Sequence, residues 1–349
     1  MKMNQTWIHE PCKPINHSAI DEARAHQAIL TKPANSLGEL ENIAIKFAGW
    51  QGQVKPQCSK ILVRVFAGDH GVCAHGVSAF PQAVTAQMID NFISGGAAIS
   101  VLSKQLDADF AVVNVGTINP TDDSAGLVNV QLAPGTDDFV NQPAMSEAIM
   151  LAALDAGRQQ VHSSGAHVFI GGDMGIGNTT SASAIYSTLL DLSPEITVGP
   201  GTGVDKTGLE KKRQVLYQAF NFHVEDIDSP LAILQRLGGL EIAGLVGAYI
   251  SAGQAGIPIL VDGFITTAAA LLAVEINPSL REWLLFAHVS AEPAHIHALK
   301  KLDATPLLDL RMRLGEGSGA AVAMPLISNA LALHNEMATF ADAGVSASE

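Results

Sequence analysis

The sequence predicts an α/β fold: a Rossmann-like parallel sheet flanked by helices, with a small helical domain formed by the N- and C-terminal segments. Three observations support this prediction. Five short apolar runs alternate with helical patterns, most of these runs end in a glycine-rich or polar loop, and both ends of the chain carry helical patterns. Strands covered on both faces are apolar throughout, and βα alternation is typical of a parallel sheet.

The apolar runs are predicted as strands because each is short, and most are followed by a glycine-rich or polar loop and then a helical pattern. They cover residues 61–68, 110–116, 167–172, 257–263 and 283–290. The stretch LVGAYISAGQAGIPILVDGF is the most membrane-like, but glycines, Gln254 and Pro258 interrupt it. We therefore expect a buried helix that runs into a buried strand, not a membrane span.

The terminal segments differ from the centre in showing amphipathic helical patterns. Ser18 is the expected N-cap of the first helix, Ser36 and Glu39 have capping-box spacing, and the last helix is expected at about 319–340. We expect these helices to form a small discontinuous domain, and the rest of the chain to form the Rossmann-like catalytic domain. The predicted boundaries are 1–55 with 319–349, and 56–318.

Composition excludes several classes of protein. The chain has 349 residues, of which 15% are charged and 48% apolar, with a formal net charge of −14. An acidic protein lacks the basic surface that nucleic acids and anionic membranes require, and low charge content favours an oligomer. Cys12, Cys58 and Cys73 show no metal or disulfide spacing, and the N-terminus shows no signal peptide. We expect a cytoplasmic protein.

Polar residues follow several of the predicted strands. These are Asp69 with His70, Asp173 after two glycines, Asp262, and His288 within the last apolar run. Open α/β sheets bind ligands beyond the carboxyl ends of their strands. Together with Glu316, these side chains are expected to converge on one crevice.

Glu316 stands out because it lies between glycines in the octamer RLGEGSGA, residues 313–320. Glycine allows the backbone and a ligand to approach each other closely. This pattern indicates a carboxylate presented to a ligand that packs against the main chain. The alternative is a surface turn with a solvated glutamate.

Two glycine-rich loops precede helices. GGDMGIGNTTS places Thr179, Thr180 and Ser181 at a helix N-terminus, where free N–H groups favour an anion. VGPGTGVDKTGLEKK has Thr207 and Glu210 at capping-box spacing beside Lys211 and Lys212. Neither loop matches the dinucleotide or P-loop fingerprint, so a monophosphate is the expected ligand. Ordinary turns are the alternative.

Several motifs together resemble the nicotinate-nucleotide–dimethylbenzimidazole phosphoribosyltransferase family. They include GDHGVCAHGVSAFPQAVTAQM, PGTDDF, GGDMGIGNTTSASA, GTGVDKTGLEKK, HVSAEPAH and LDLRMRLGEGSGAAVAMPLI, in the family's order and across nearly the whole chain. The resemblance implies transfer of the 5-phosphoribosyl group of nicotinate mononucleotide to 5,6-dimethylbenzimidazole in cobalamin nucleotide-loop assembly. The expected products are α-ribazole 5′-phosphate and nicotinate. It also implies a homodimer, with no metal and no cofactor.

The resemblance also implies roles for individual residues. Glu316 is the expected general base, and Asp173 is placed with it among the catalytic residues. Phosphate is expected to bind Gly175, Gly177, Asn178, Thr179 and Lys212, and the base to bind Ser78 and Gln87. Beyond these residues, we expect Gly201, Gly203, Asp262 and Ser290 on the phosphate and ribose side, and Leu314 and Gly315 on the base side. Two positions depart from the family pattern: members often have glutamate where this chain has Asp173, and arginine where it has Pro200.

The chemistry favours one carboxylate as the base. The leaving nicotinate departs as a neutral ring nitrogen and needs no acid, whereas removing the N–H proton of the benzimidazole makes its other nitrogen more nucleophilic. General-base help of this kind contributes about 10²–10⁴ in rate. Because Asp173 is one methylene shorter than glutamate, we expect it to order the loop. Asp262 is expected to bind ribose hydroxyls or, alternatively, to cap a helix.

Two other classes of protein remain open at this point. A metal-dependent phosphohydrolase could use a set of acids and histidines as ligands, namely Asp69, His70, His288, Glu292, His295 and His297. A non-catalytic protein that binds benzimidazoles or nucleotides is the third possibility, although Glu316 argues against it.

Overall fold

The computed structural model describes residues 5–201 and 203–346. In these residues a six-stranded sheet has the order β3-β2-β1-β4-β5-β6, and every neighbouring pair is parallel. This is the strand order of doubly wound nucleotide-binding folds, in which ligands bind where the order reverses, here between β1 and β4. The strands are β1 (Ile61–Gly68), β2 (Asp109–Gly116), β3 (Leu127–Asn129), β4 (Val168–Met174), β5 (Ile259–Val261) and β6 (Leu284–Phe286).

The five predicted strands are confirmed, although β5 and β6 are shorter than their apolar runs. Strand β3, which pairs with β2 at the edge of the sheet, was not predicted. This strand has three residues and is partly exposed, so it has neither the length nor the apolar run that identifies a buried strand.

Helices cover the sheet and connect its strands. They are α1 (His17–Ile29), α2 (Glu39–Gln51), α3 (Ala83–Ile93), α4 (Ala98–Gln105), α5 (Glu147–Val161), α6 (Asn178–Leu190), α7 (Pro194–Thr197), α8 (Lys206–His223), α9 (Pro230–Leu237), α10 (Leu240–Ala255), α11 (Phe264–Ile276), α12 (His295–Lys301), α13 (Ser318–Glu336) and α14 (Phe340–Ala343). Short 3₁₀ helices lie at Gln5–His9, Gly71–His75 and Pro278–Trp283.

Helix α10 and strand β5 form the buried helix and strand predicted from the membrane-like stretch. Every residue of α10 from Leu240 to Gly253 is buried. Its glycines allow close packing on α5, since a Cβ at Gly247 would overlap with the carbonyl of Leu154. Within the described residues, no helix is long and apolar enough to cross a membrane.

The predicted caps of the first two helices are wrong. Asn16, not Ser18, caps α1 by accepting a hydrogen bond from the backbone N–H of Ala19 (3.0 Å). The N-cap of α2 is Gly38, without a side-chain cap, so the predicted pairing of Ser36 with Glu39 does not form. Several polar residues near each start have capping side chains, and sequence spacing does not decide between them.

The terminal helices pack together and also on the sheet. α2 contacts α1 and α13, and α13 further contacts α4 and β4. Trp50 of α2 stacks on Trp283 beside β6, with ring centroids 6.2 Å apart. The ends of the chain thus share one apolar core with the sheet, and the division at 1–55 and 319–349 stays a prediction.

Candidate active site

A cavity of about 670 Å³ opens at the carboxyl ends of the strands. The segments that follow β1, β4, β5 and β6 line it, together with the loop before α8 and the turn before α13. Of the polar strand-end residues, Asp173, His288 and Glu316 line this cavity. Asp69, His70 and Asp262 are buried outside its lining. The predicted crevice exists, but only part of the predicted set lies in it.

Glu316 lies in a turn whose backbone explains its glycine neighbours. Gly315, Glu316 and Gly317 have φ values of 85°, 66° and 85°, a left-handed region that glycine adopts without steric cost. The Glu316 side chain is only 7% exposed, and its Oε2 atom has no hydrogen-bond partner in the described residues. Burial, followed by the negative charge of Asp262, raises the pKa of Glu316 to about 7.

The same turn lies directly against strand β4. A Cβ at Gly172 would overlap with the backbone of Glu316, and a Cβ at Gly319 would overlap with the ring of His288. The glycines in both segments therefore allow β4 and the start of α13 to touch. This close packing fixes Glu316 beside the cavity.

Asp262 caps α13. Its Oδ2 atom accepts from the backbone N–H of Gly317 (3.2 Å) and its Oδ1 atom from that of Ala320 (2.8 Å). Nε2 of His288 lies 3.6 Å from Oδ1. Both carboxylate oxygens are engaged, so the structure shows the helix-capping alternative, and Asp262 does not line the cavity.

Asp173 is the last residue but one of β4 and lies against the Glu316 turn. Its Oδ2 atom accepts a hydrogen bond from the side-chain amide of Asn178 (3.0 Å), and its carboxylate faces Gly315. Burial, followed by the charges of Asp262, Glu241 and Glu316, raises the pKa of Asp173 well above its usual value. Its hydrogen bond to Asn178 and its position against the Glu316 turn suit a positioning role.

The first glycine-rich loop leads into α6 and leaves its N-terminus open. The N-cap is Gly177, with φ 96° and no side-chain cap. Gly175, Gly177, Asn178 and Thr179 all line the cavity. The N–H groups of Asn178 and Thr180 donate to the carbonyls of Gly175 (3.0 Å) and Gly177 (2.9 Å). The turn has no side-chain cap and presents the positive end of the helix dipole to the cavity, as predicted for an anion site.

The helix that follows the second loop places a cation, Lys212, beside the first loop. Lys212 of α8 is only 1% exposed, and its Nζ atom donates to Thr179 Oγ1 (2.8 Å) and to the carbonyl of Gly199 (3.4 Å). Burial lowers the pKa of Lys212 to about 8. Gly201 lines the cavity, whereas Gly203 does not.

The capping box predicted for α8 is wrong. Asp205, rather than Thr207 with Glu210, is the N-cap of this helix, and it accepts from the N–H of Gly208 (2.8 Å). The first turn of α8 is therefore already capped by a carboxylate.

The other side of the cavity is apolar. Ser78, Leu314 and Gly315 line it as predicted, and Val84 and Met88 of α3 add apolar surface. Gln87 lies on the same helix but is exposed and outside the cavity lining. The structure therefore does not bring Gln87 to the predicted base pocket.

Three cavity residues with ionisable side chains were not given a role in the predicted transferase site: His288, Glu292 and Arg313. Nη1 of Arg313 donates to the carbonyl of Gly201 (2.8 Å), so a cation lies beside the loop in which Pro200 replaces the family's arginine. His288 was expected in the crevice from its place in the last apolar run, without an assigned role. Glu292 also follows β6, and its position after a strand is the signal that could have identified it.

The residues of the metal hypothesis do not gather. Asp69 accepts from Thr85 Oγ1 (2.6 Å) and from the N–H of Ile118 (2.9 Å), while Nε2 of His70 pairs with Glu241 (2.8 Å). No group of three or more potential ligands lies close enough to hold a metal ion in the described parts of the chain. The metal-dependent phosphohydrolase is not supported, because Asp69 and His70 are engaged away from the cavity and no ligand cluster forms among the described residues.

Comparisons with known proteins agree with this geometry. A phosphoribosyltransferase family model matches residues 12–345. The nicotinate-nucleotide–dimethylbenzimidazole phosphoribosyltransferases of Pseudomonas fluorescens (strain SBW25) and Pseudomonas putida (strain W619) are 53% and 52% identical to this chain. Each match covers 98% of this chain and 99% of the relative.

Solved structures show the same fold. The crystal structure of CobT from Thermus thermophilus superposes with a TM-score of 0.91 at 43% identity, covering 95% of this chain and 100% of that chain. A second structure from Thermus thermophilus, described as this phosphoribosyltransferase, gives a TM-score of 0.90 at 42% identity, covering 96% of this chain and 100% of that chain. The chain therefore belongs to the nicotinate-nucleotide–dimethylbenzimidazole phosphoribosyltransferase family.

Proposed function

We propose that this protein transfers the 5-phosphoribosyl group of nicotinate mononucleotide to 5,6-dimethylbenzimidazole, giving α-ribazole 5′-phosphate and nicotinate with inversion at the anomeric carbon. The names of its relatives support this reaction. The observation that carries it is Glu316, a buried carboxylate with a pKa of about 7 and one oxygen that has no partner in the described part of the chain. This acid lies at one cavity that also contains an open helix N-terminus and a buried lysine.

Glu316 acts as the general base. One nitrogen of dimethylbenzimidazole attacks the anomeric carbon while the other carries a proton. As the new N–C bond forms and the bond to nicotinate breaks, the proton passes to the Glu316 carboxylate. A base with a pKa close to the working pH is the most effective for such a transfer. Attack on the face opposite nicotinate gives the α product.

The phosphate of nicotinate mononucleotide binds at α6. N–H groups of the first turn, the Thr179 hydroxyl and the Lys212 ammonium surround the expected position. A helix N-terminus and a lysine together favour a dianion. The acceptor base then binds between Ser78, Leu314 and Gly315, beside the apolar wall and within reach of the Glu316 turn.

Asp173 positions the site. Its hydrogen bond to Asn178 joins the end of β4 to the first residue of α6, and its carboxyl faces the backbone next to Glu316. This arrangement supports a role in ordering the loop rather than in accepting the proton.

The proposed transfer balances without a metal or redox cofactor, since only a glycosidic bond and one proton are exchanged.

We further propose a cytoplasmic homodimer. The free thiols of the three cysteines suit a reducing compartment. Exposed apolar side chains such as Phe222 and Val224 at the end of α8 suit a subunit interface, and light scattering would measure the mass in solution.

The test of the function is a product assay. The protein is incubated with nicotinate mononucleotide and a panel of benzimidazoles and purines, and the products are identified by mass. We expect α-ribazole 5′-phosphate and equimolar nicotinate from dimethylbenzimidazole. Binding of both substrates without any product would instead identify a non-catalytic binding protein.

A further inference from the structure

Glu292 is a buried acid that the proposed mechanism does not use. It follows β6, lines the cavity and is only 5% exposed. Neither of its carboxylate oxygens has a hydrogen-bond partner in the described residues. Buried carboxylates are normally paired or hydrogen-bonded because desolvation is costly. An orphaned carboxylate on a cavity wall therefore indicates a ligand that donates hydrogen bonds.

The segment that carries Glu292 is held rigidly. The N–H of Ser290 donates to Nδ1 of His295 (2.9 Å), so Nδ1 is the acceptor and Nε2 carries the proton that reaches Thr267 Oγ1 (3.0 Å). Burial lowers the pKa of His295 to about 3, which keeps this ring neutral. The N–H of Glu292 in turn donates to Ser290 Oγ (3.4 Å). Such support preorganises a binding group.

Glu292 lies next to the expected phosphate site. A Cβ at Gly199 would overlap with Oε2 of Glu292, and the carbonyl of Gly199 accepts from Lys212. Burial raises the pKa of Glu292, and the positive charge of Lys212 acts against this rise. The backbone N–H of Gly201 also acts against it, but this group does not meet the geometry of a hydrogen bond to Glu292. The carboxylate of Glu292 and the ammonium of Lys212, which is expected to bind the phosphate, thus both contact Gly199.

The hydrogen-bonding properties of the Glu292 carboxylate determine which ligand groups it can bind. An ionised carboxylate only accepts hydrogen bonds, so Glu292 repels the phosphate and requires a donor close to it. The vicinal hydroxyls of a ribose supply two donors to two oxygens. Asp262, the other acid considered for this role, has both of its oxygens engaged in capping α13.

We propose that Glu292 binds the 2′- and 3′-hydroxyls of the phosphoribosyl donor and makes the site selective for ribose over 2-deoxyribose. This inference rests on the proposed function for the identity of the donor. Positive charge develops on the sugar as the bond to nicotinate breaks, and hydrogen bonds to the 2-hydroxyl of a sugar strengthen in transition states of this kind. Glu292 therefore contributes to kcat as well as to binding.

The experiment compares nicotinate mononucleotide with its 2′-deoxy analogue, using kcat/KM for the wild type and for Glu292→Ala. The difference in intrinsic reactivity between the two donors is the same for both proteins and cancels. We expect the preference for the ribose donor to fall about 10- to 100-fold in the variant, the range for a hydrogen bond to a charged group. Glu292→Gln, which keeps one acceptor, should lie between the two and confirm that the fold is retained.

Asp262→Asn serves as the comparison variant. Because Asp262 caps a helix, this change should lower the melting temperature and slow both donors alike, with the preference unchanged. The proposal is overturned if Glu292→Ala keeps the wild-type preference. It is also overturned if Asp262→Asn is the variant that loses the preference, since the hydroxyl contact would then belong to Asp262.

A binding measurement separates this proposal from the proposed reaction. Calorimetry gives the affinities of ribose 5-phosphate and 2-deoxyribose 5-phosphate for the same proteins without any transfer step. Discrimination that disappears in Glu292→Ala supports the proposal even if no product forms with dimethylbenzimidazole, in which case only the reaction is wrong. Equal binding of both sugars to the wild type contradicts the Glu292 assignment whether or not the transfer occurs.

Discussion

Helices α6 and α13 begin in nearly the same way, beside the same cavity. Each is preceded by a Gly-x-Gly turn whose second glycine is the N-cap, with φ 96° at Gly177 and 85° at Gly317. The first residue of each helix donates its backbone N–H to the carbonyl of the first glycine at 3.0 Å, from Asn178 in α6 and from Ser318 in α13. Only α13 receives a carboxylate, Asp262, at its N–H groups.

This difference assigns separate tasks to two similar turns. The N-terminus of α13 is already satisfied by an internal anion, so its turn presents the Glu316 side chain instead of binding an anion. The N-terminus of α6 has no side-chain cap and is accompanied by Lys212, so it is suited to an external phosphate. A glycine-rich helix start is therefore an anion site only when the protein does not supply the anion itself.

The strongest test of this comparison concerns Glu316. We expect Glu316→Gln to keep the fold and to bind dimethylbenzimidazole while turnover falls about 10²–10⁴-fold, the range for a missing general base. Asp173→Asn should cost clearly less, and Asp173→Glu should be tolerated. Single-turnover rates at saturating substrates provide the measurement. A larger loss in Asp173→Asn than in Glu316→Gln would reverse the roles of the two acids.

The next test removes the cation beside α6. Lys212→Ala should weaken nicotinate mononucleotide about 10- to 100-fold relative to its dephosphorylated riboside, since a charge-assisted bond contributes about 1.5–3 kcal/mol. Lys212→Met retains the buried volume and should show the same loss. Lys211→Ala removes an exposed neighbouring charge and is the matched control. If Lys212→Ala discriminates the two ligands as the wild type does, this lysine does not contact the phosphate.

The pH dependence of kcat/KM should report the ionisation of both Glu316 and Lys212. Glu316 must be ionised to act as a base, so activity should rise with pH through about 7. Lys212 must be charged to hold phosphate, so activity should fall above about 8. Outside this narrow optimum each limb should change about tenfold per pH unit. Glu316→Gln should lack the limb near pH 7, and its persistence in that variant would assign it to another group.

The smallest expected effect concerns Asp262, the carboxylate that caps α13. Asp262→Asn weakens the cap of α13 and should lower the free energy of unfolding by about 0.5–2 kcal/mol, as the loss of other caps does. Because the Asp262 charge raises the pKa of Glu316, the acidic limb of the pH profile should also move to lower pH. Thermal melts and a pH profile measure the two effects. An unchanged limb would show that Asp262 does not act on Glu316.

The ionisation of Glu316 links activity to stability. The folded pKa of about 7 is above the ordinary value of 4.5, so between these values the folded state binds more protons than the unfolded state. Stability should therefore fall as pH rises through this window. At pH 8 we expect Glu316→Gln to melt at a higher temperature than the wild type, and at pH 4 the difference should vanish.

Much of the fold could be predicted from local patterns. Apolar runs identified five strands, because burial on both faces of a parallel sheet requires continuous apolar sequence. The three-residue strand β3 was missed because it is partly exposed and contributes too little sequence to form a pattern. The caps of α1 and α8 were misplaced by a residue or two, since Asn16 and Asp205 compete with equally suitable neighbours.

The candidate site was predictable where the backbone itself imposes a residue type. Glycines around Glu316 and before Asn178 were informative because left-handed φ values and close contacts exclude other side chains. Gln87 was not predictable in the same way. It belongs to the helix that lines the cavity, yet its side chain points to solvent, and a difference of one residue changes the face of a helix by about 100°.

The sequence by itself determined the order of strands and helices, the glycine turns and the position of acids after strands, because these depend on neighbours in the chain. Only the tertiary structure decided what each acid does. Asp262 is satisfied by N–H groups 55 and 58 residues away, whereas Glu292 and one oxygen of Glu316 have no partner at the cavity among the residues that the structure describes. Whether a buried carboxylate is a structural cap or a free ligand depends on which distant donors the fold brings to it, and no local pattern contains those donors.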